Sequence, residues 1–562
     1  MLSSKQVISM KKYIAIFSFT AGFLILLNSC KKYEDVPVET VTKDYIWDTK
    51  DSNGIYASQY LFSIYSSLPD GSNRIGRDYL DAGSDDAVTS QTTAAAVTLL
   101  ATNGITIFNN PDDAWSRSYA AIRQSTNFLN NFGLVPLKNK AEKRSWFGEA
   151  RVLRAFFYWE LVKRYGGVPI LGDSLLSLND KIEIPRSSFA TCVNYIVSEC
   201  DRASDSLRND PVDDGNYGRF TKDGALALKA HVLLFAASKL YNGGNVADSL
   251  NGYASYDVSR WKKAADAAKV IINEGHYSLQ PSFTDIFIIQ RSQEVIYGKT
   301  NTTGKQNETQ NGPINFSTAP GSGNTSPTQE LVNAYGMNNG LPITDPGSGY
   351  DSTNPYVNRD PRLNYTILYN GAQWLSTQIQ TFNGGVNRPG GTTTQTQTGY
   401  YTRKFMGNFE NATSYEDHYR DWIYFRYAEI LLDYAEAQNE YGGPSEDVFS
   451  AVESVRQRAG LDPYTLDHTI TQDSLRTIIR NERRKEFALE EKRFWDIRRW
   501  KIAGEVYNNG LHGISITKTS AGLLYNVVPV LNAAFDESKM YFYPIPYTEV
   551  VSNSHMRQNP GW

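Results

Sequence analysis

The strongest constraint on the fold is a helical spacing of apolar side chains, clearest between Trp146 and Tyr165. Charged residues occupy the other positions of this stretch, and two glycines and a proline follow it directly. This pattern predicts an amphipathic helix that ends at the glycines. The apolar positions fall at i, i+3, i+4 and i+8, namely Leu153, Phe156, Phe157 and Leu161.

Further helices are predicted downstream over Phe189–Leu207, Thr221–Tyr241 and Ser259–Glu274. The last two segments place alanine at positions where helices can approach closely. Helix pairs of the tetratricopeptide type follow from this pattern, although no strict 34-residue period is present. We therefore predict a mostly α protein with a tetratricopeptide-like helical scaffold.

The character of the chain changes from about residue 280 to residue 420, where short β-like pieces alternate with stretches rich in Asn, Gly, Thr and Gln. Residues 301–326 and 381–398 contain too few apolar side chains to form a core. They are predicted to be surface loops or a ligand-facing rim of a loop-rich, irregular binding region. Helical periodicity then returns from Tyr427, and two more helices are predicted over Glu446–Arg458 and Gln472–Trp500.

The N-terminus has the features of an export signal, because two lysines after Met10 precede an uncharged, mostly apolar run from Tyr13 to Leu27. As a helix this run spans ~22 Å, less than the ~30 Å hydrocarbon core of a membrane. The run ends in Leu-Asn-Ser-Cys, which resembles a bacterial lipobox with Cys30 as the lipidated residue. Translation starts at Met1 or Met10, and the residues after Cys30 form a polar tether.

Composition argues against several other classes of protein. The net charge of −4 gives no basic surface for nucleic acid. Cys192 and Cys200 are eight residues apart in a predicted helix, ~12 Å along its axis, so they are expected to be core thiols and not a disulfide. The six histidines are scattered and no Cys-x-x-Cys is present, so we expect no metal site and no cofactor.

An enzymatic alternative rests on Asp81, Asp85 and Asp86, since glycoside hydrolysis uses two carboxylates that face each other across a cleft. Acidic residues clustered around Gly83 and Ser84 are more typical of turns and helix caps. Their spacing is not that of an EF-hand, so calcium is possible but unsupported. We therefore expect a binding protein and not a surface glycosidase.

Several blocks of sequence stand in a fixed order along the chain: residues 149–158 (EARVLRAFFY), 165–169 (YGGVP), 327–332 (PTQELV), 358–363 (NRDPRL), 426–430 (RYAEI), 483–487 (RRKEF), 493–500 (RFWDIRRW), 544–546 (PIP) and 558–562 (QNPGW). Together these blocks resemble the SusD/RagB family. The resemblance covers nearly the whole mature chain and departs at one place, where Glu491 stands at a position at which a typical member has glycine.

The resemblance implies a lipoprotein on the surface of the outer membrane that binds oligosaccharide and delivers it to a SusC-like TonB-dependent transporter. A peptide-binding, RagB-like protein with the same transporter role is the alternative. The resemblance also implies a division of the chain into a signal peptide (1–29), a lipidated tether (30–48), an N-terminal helical region (49–280) and a C-terminal region (281–562). The C-terminal region is divided further into loop-rich (281–420), helical (421–505) and terminal (506–562) parts.

The motifs themselves are expected to be scaffold. Residues 480–499 carry alternating charges, with Glu482/Lys485 and Glu490/Arg493 at i, i+3 spacing, and are interpreted as an ion-paired helix. Ligand contacts are predicted instead in loops, over residues 74–103 and 301–398. The candidates are three aromatic residues set among polar neighbours and two hydrogen-bonding residues, namely Tyr79, Tyr350, Trp374, Arg77 and Asn103.

Overall fold

The computed structural model describes residues 43–91, 95–177, 179–243, 248–390 and 395–562. The apolar N-terminal run and Cys30 lie outside the described residues, so the lipid anchor stays a prediction. Within the described part of the chain, none of the helices combines the length and the apolar character that a membrane crossing requires.

Helices form most of the regular structure of the described residues. They are α1 (Lys43–Ile46), α2 (Ile55–Ser66), α3 (Thr98–Ala101), α4 (Trp115–Asn131), α5 (Lys140–Tyr165), α6 (Phe189–Ser204), α7 (Lys222–Ala237), α8 (Lys239–Asn242), α9 (Ser259–Glu274), α10 (Asp285–Ile288), α11 (Gln306–Asn311), α12 (Gln329–Ala334), α13 (Arg362–Thr366), α14 (Tyr427–Gly442), α15 (Glu446–Arg458), α16 (Gln472–Glu486), α17 (Lys492–Arg499), α18 (Ala503–Tyr507) and α19 (Tyr547–Ser552).

The long helices pack against one another in sequence, from α4 onto α5, α5 onto α6, α6 onto α7 and α7 onto α9. Helix α14 then continues the series, because it packs on α9, α15 and α16. This arrangement confirms the predicted tetratricopeptide-like scaffold. The series crosses the loop-rich region in sequence, so the C-terminal helices complete a layer that the N-terminal helices begin.

Helix α5 shows how local sequence sets the boundaries of these elements. The side chain of Asn139 accepts a hydrogen bond from the backbone N–H of Glu142, which caps the first turn. At the other end Gly166 has φ +75°, so the chain turns away there as predicted. The helix begins six residues before the predicted start at Trp146, because its first turns are polar and lack the apolar spacing.

Strands in the described residues are short and pair only two at a time, all antiparallel. The longest pair is the hairpin of β9 and β10, and the pair of β1 with β3 joins two distant loops. The strands are β1 (Ala87–Thr89), β2 (Val295–Lys299), β3 (Thr325–Pro327), β4 (Ile367–Leu368), β5 (Gln373–Trp374), β6 (Thr377–Gln378), β7 (Tyr401–Thr402), β8 (Trp422–Arg426), β9 (Leu511–Thr519) and β10 (Gly522–Leu531).

The single helix predicted over Gln472–Trp500 is wrong, since the structure has two helices, α16 and α17, with a break between them. Leu489 and Glu491 adopt positive φ in the break (64° and 61°). A residue in the left-handed conformation cannot continue a right-handed helix. Glycine adopts this conformation at the lowest cost, because it has no Cβ. Glu491 is the position at which the resemblance predicts glycine, and its carboxylate forms an ion pair with Arg74 (2.6 Å).

Three apolar clusters hold the described residues together. One spans the helical scaffold, a second lies within the loop-rich region, and a third joins that region to Ala488 and to β9. Phe494, Trp495 and Trp500 are buried, which confirms that these aromatic residues are core. Cys192 and Cys200 are also buried and unpaired, as predicted. Burial raises the pKa of the Cys192 thiol to about 11, so it stays protonated at neutral pH.

Candidate ligand-binding site

A cavity of about 540 Å³ lies where the β1 segment, α3 and the end of β10 meet. Polar and apolar side chains both line it, with amides and a hydroxyl on one part and aliphatic groups on another. We call it the β10 cavity. Its lining includes Thr89, Gln91, Asn109, Gln397, Val530 and Leu531.

A second cavity of about 480 Å³, the Phe316 cavity, is lined by residues 314–317, Pro320, Gly321 and Gln395. Phe316 is half-buried and packs on the second apolar cluster, so part of its ring stays accessible. The side-chain amide of Gln397 donates to the carbonyl oxygens of Ser90 (3.4 Å) and Gln395 (3.5 Å). Gln397, in the lining of the β10 cavity, is thus hydrogen-bonded to Gln395, in the lining of the Phe316 cavity.

Asp78 holds the polar wall of the β10 cavity in place. Its carboxylate accepts hydrogen bonds from Thr89 Oγ1 (2.8 Å), Gln91 Nε2 (3.2 Å) and Thr325 Oγ1 (3.0 Å). Asp78 is itself fully buried, and this burial raises its pKa to about 7. Asp78 thus fixes the orientation of two residues that line the cavity.

Two of the predicted aromatic residues, Tyr79 and Trp374, are fully buried, so the expectation of an exposed ring face is wrong for both. Tyr79 donates from its hydroxyl to Asn307 Oδ1 (3.3 Å) and packs on Phe405. Trp374 donates from Nε1 to Tyr415 Oη (3.1 Å) in the second apolar cluster. Their polar neighbours in sequence misled the prediction, because the rings turn inward to partners far away along the chain.

The other three predicted residues lie at or near the surface. Tyr350 is partly exposed, with the guanidinium of Arg359 5.5 Å from its ring centre. Arg77 is exposed and Asn103 is partly exposed, and both have positive φ (84° and 56°). None of the five predicted residues lines the β10 cavity or the Phe316 cavity. The structure therefore does not bring them together into one site.

Sequence reasoning missed the residues that line the two cavities. Phe316 meets the criterion used for the aromatic candidates, since it stands between Asn315 and Ser317 in a polar stretch. That signal was available in the sequence. Gln91, Asn109 and Gln397 carried none, because a lone amide in a loop does not differ from its neighbours until the chain is folded.

The carboxylates of the enzymatic alternative are buried structural groups. Asp85 accepts two hydrogen bonds from Arg493, both 2.8 Å, and the neighbouring arginines Arg484 and Arg493 hold its pKa at about 2 against burial. Asp86 pairs with Arg484 (2.7 Å), and Asp81 accepts from the backbone N–H of Glu491 (3.0 Å). These three aspartates are hydrogen-bonded to groups of the helical scaffold and do not face one another across a cleft.

The charged face of residues 480–499 is ion-paired as predicted, but only one of the two predicted pairs forms. Lys485 and Glu482 are 3.1 Å apart. Glu490 instead binds Arg426 (2.8 Å) and Lys404 (2.7 Å), because the break before α17 turns it away from Arg493.

A third cavity, of about 410 Å³, lies along α4 in the helical scaffold. Its lining is mostly apolar and includes Trp115, Tyr119 and Ile122. Trp115 and Tyr119 pack on each other, with ring centres 5.1 Å apart. We prefer the loop cavities as the ligand site, because several amides converge on them.

Comparison with known proteins identifies the fold family. A family model described as the SusD family matches residues 286–562, and one described as starch-binding, associating with the outer membrane, matches residues 48–234. The chain belongs to the SusD family. SusD-like protein P2 of Formosa agariphila is 25% identical over 98% of this chain and 100% of its own length.

Solved structures of SusD-like proteins share the fold. One from Bacteroides fragilis superposes with a TM-score of 0.78 at 27% identity, covering 93% of this chain and 99% of its own. Another, a SusD-like carbohydrate-binding protein from the same species, superposes with a TM-score of 0.74 at 23% identity, covering 91% of this chain and 100% of its own. The predicted family and helical scaffold are thereby confirmed.

Proposed function

We propose that this SusD-family protein captures oligosaccharide at the cell surface and delivers it to a SusC-like TonB-dependent transporter, without chemistry of its own. The observation that carries the proposal is the pair of loop cavities, one lined by several amides and the other by a half-buried phenyl ring. The description of the N-terminal family model, starch-binding and associating with the outer membrane, supports the same class of ligand.

The chemistry of the two cavities suits a sugar chain. Gln91, Asn109 and Gln397 offer both donors and acceptors to hydroxyl groups. Phe316 offers part of a ring to the apolar face of a pyranose. Each cavity therefore offers one kind of contact that a sugar ring uses, and a chain of several sugar units could occupy both.

The test compares Phe316→Ala with the parent protein on an array of oligosaccharides, followed by calorimetric titration of the best ligand. Loss of a stacking ring costs about 1–3 kcal/mol, so affinity should fall about 5- to 150-fold. Phe62→Ala is a matched control, because Phe62 is 46% exposed on α2 and lies outside both cavities. Equal affinity of Phe316→Ala and the parent, with both proteins folded, would place the glycan site elsewhere.

A peptide ligand is the alternative that one further observation favours. Among the described residues β10 pairs only with β9, and its end lines the β10 cavity. An extended peptide could therefore add its backbone to the free edge. Peptide binding of this kind depends on main-chain hydrogen bonds, so an array of peptides should then bind better than the glycans, and Phe316→Ala should have little effect.

Delivery to a transporter has its own test. Affinity purification of the protein from outer membranes in mild detergent should recover a TonB-dependent barrel. Consistent absence of such a barrel would leave the glycan-binding proposal intact and would remove the transport role.

A further inference from the structure

Three potential metal ligands from distant parts of the sequence meet at one end of the α7–α9 helix pair. Asp223 lies in the first turn of α7. Glu274 is the last residue of α9, and His276 lies two positions after it. Gly275 stands between the last two with φ +69°, and this left-handed turn brings His276 back towards α7. One ligand atom from each side chain lies within 4.8 Å of the other two.

The hydrogen bonding of this cluster is incomplete on the side of the carboxylates. Asp223 is fully buried, and its Oδ2 lies 2.7 Å from His276 Nδ1. Its other oxygen, Oδ1, has no hydrogen-bond partner among the described residues, and neither does the buried Oε2 of Glu274. Buried carboxylate oxygens are normally satisfied, and the carboxyl groups of Asp223 and Glu274 lie close enough to hydrogen-bond if one of them is protonated. Either a shared proton or a bound cation therefore satisfies them.

Negative charge exceeds positive charge around the cluster. Asp210 approaches from the loop before α7, and its Oδ2 is also buried without a partner among the described residues. The one lysine at the site, Lys222, binds the outer oxygen of Glu274 at 2.5 Å. The carboxylates of Glu274 and Asp210 both lie near that of Asp223 and repel it. A cation bound between the carboxylates would relieve this repulsion.

A second cluster in the described residues, His231 with Glu429 and Asp433, shows the contrast. It is fully buried, and cations of the protein already neutralise it, since Lys492 binds Glu429 (2.8 Å) and Arg483 binds Asp433. The cluster at Asp223 lacks such partners on its inner oxygens, and His276 gives it access to solvent, with 32% of its side chain exposed.

We propose that Asp223, Glu274 and His276 form a binding site for one divalent transition-metal ion of the zinc class. Imidazole together with two carboxylates suits zinc, whereas calcium and magnesium prefer sites built from oxygen alone. Ligands at ~2.0–2.2 Å from zinc in a tetrahedron lie ~3.3–3.6 Å from one another, so small side-chain movements suffice. Water or Asp210 completes the coordination.

The site links the start of α7 to the end of α9, so the bound ion stabilises this helix pair. Sequence analysis predicted no metal site, because His276 is 53 residues from Asp223 and the sequence shows no ligand spacing. Asp223 and His276 come close to each other only when α7 and α9 pack together.

The test uses the full-length protein purified in detergent, stripped with a chelator and titrated with zinc chloride by calorimetry. We expect one zinc ion per chain and a higher melting temperature with zinc than without it. Calcium chloride in a parallel titration should give no saturable binding. In His276→Gln and Asp223→Asn zinc affinity should fall by at least about 100-fold, since even outer-shell changes cost 10- to 100-fold.

His468→Gln is the matched control. His468 also contacts two carboxylates, Glu446 (3.1 Å) and Glu453 (3.0 Å), but through opposite ring nitrogens, so these groups cannot share one ion. Zinc binding should be unchanged in this variant. Undiminished binding in folded His276→Gln, or no saturable binding to the parent protein, would overturn the proposal and leave a shared proton as the occupant.

Discussion

Arg426 lies at the centre of a buried ion network, and its replacement offers the most direct test of how the scaffold is held. Its guanidinium binds three glutamates, Glu294 (2.6 Å), Glu486 (2.7 Å) and Glu490 (2.8 Å). All four side chains are almost fully buried. Arg426→Gln therefore leaves three carboxylates in the core without their common cation.

The magnitude follows from the partners that remain. Glu486 keeps Arg362 and Arg458, Glu294 keeps Arg458, and Glu490 keeps Lys404, so no carboxylate is left entirely alone. The Arg458–Glu294 and Lys404–Glu490 pairs are both 2.7 Å, and Glu486 contacts Arg362 (3.0 Å) and Arg458. Removal of one partner from a buried pair costs about 3–5 kcal/mol, and we expect one such loss and not three.

The assay is chemical denaturation together with calorimetric melting of the parent and the variant. An unfolding entropy of about 2 cal/mol/K per residue over roughly 500 residues gives about 1 kcal/mol/K, so the melting temperature should fall by roughly 3–5 °C. Ligand affinity of the folded protein should not change, because Arg426 lines neither loop cavity.

Arg291→Gln provides the control, since its partner Asp214 is 96% exposed and such pairs contribute at most about 1 kcal/mol. An unfolding free energy of Arg426→Gln within about 1 kcal/mol of the parent, or an equal loss in Arg291→Gln, would show that the buried network is not needed for stability.

Two further predictions concern the anchor and the pH dependence of stability. Cys30→Ala should move the protein from the membrane fraction to the soluble fraction, and full retention in the detergent phase would contradict lipidation. The pKa of Asp78 is about 7 in the folded protein and ~3.9 in the unfolded chain. Between about pH 4 and pH 7 the folded protein therefore holds a proton on Asp78 that the unfolded chain has lost. The free energy of unfolding consequently falls as the pH rises through this range. In Asp78→Asn the unfolding free energy should fall less steeply with pH, by up to about 1.4 kcal/mol per pH unit. Denaturation at several pH values measures this slope. The same slope in the variant and the parent would show that Asp78 is ionised throughout.

The helices could be predicted because their signal is local. An apolar residue every three or four positions needs no knowledge of the rest of the chain, and six of the seven predicted helices match the structure to the residue at one end or both. The helices over Ser259–Glu274 and Glu446–Arg458 match at both ends, and the others are the helix that ends at Tyr165 and those that begin at Phe189, Tyr427 and Gln472. The break at Glu491 was not predicted, because glutamate favours helix and its left-handed conformation is stabilised by Arg74, 417 positions away.

The ligand site was harder to predict because its signals are distant in sequence. Tyr79 has polar neighbours along the chain, yet its backbone N–H donates to Thr325 Oγ1, 246 positions away, and its ring lies in the core. Pairing of β1 with β3 forms this connection. A polar setting along the chain therefore does not predict exposure of an aromatic ring in a loop that a distant strand covers.

The residues that carry the family resemblance and the residues that line the loop cavities do not overlap. Arg426, Arg483 and Arg493 all belong to the resembling blocks, and all three form buried ion pairs. Such pairs require a fixed geometry on both sides, which limits the residues that the scaffold accepts. The cavity residues include amides and a half-buried ring, and a substitution there would change the proposed ligand contacts and leave these ion pairs intact. The resemblance therefore predicts the fold, and the identity of the ligand has to be sought in residues 87–109 and 314–321 and around Gln397.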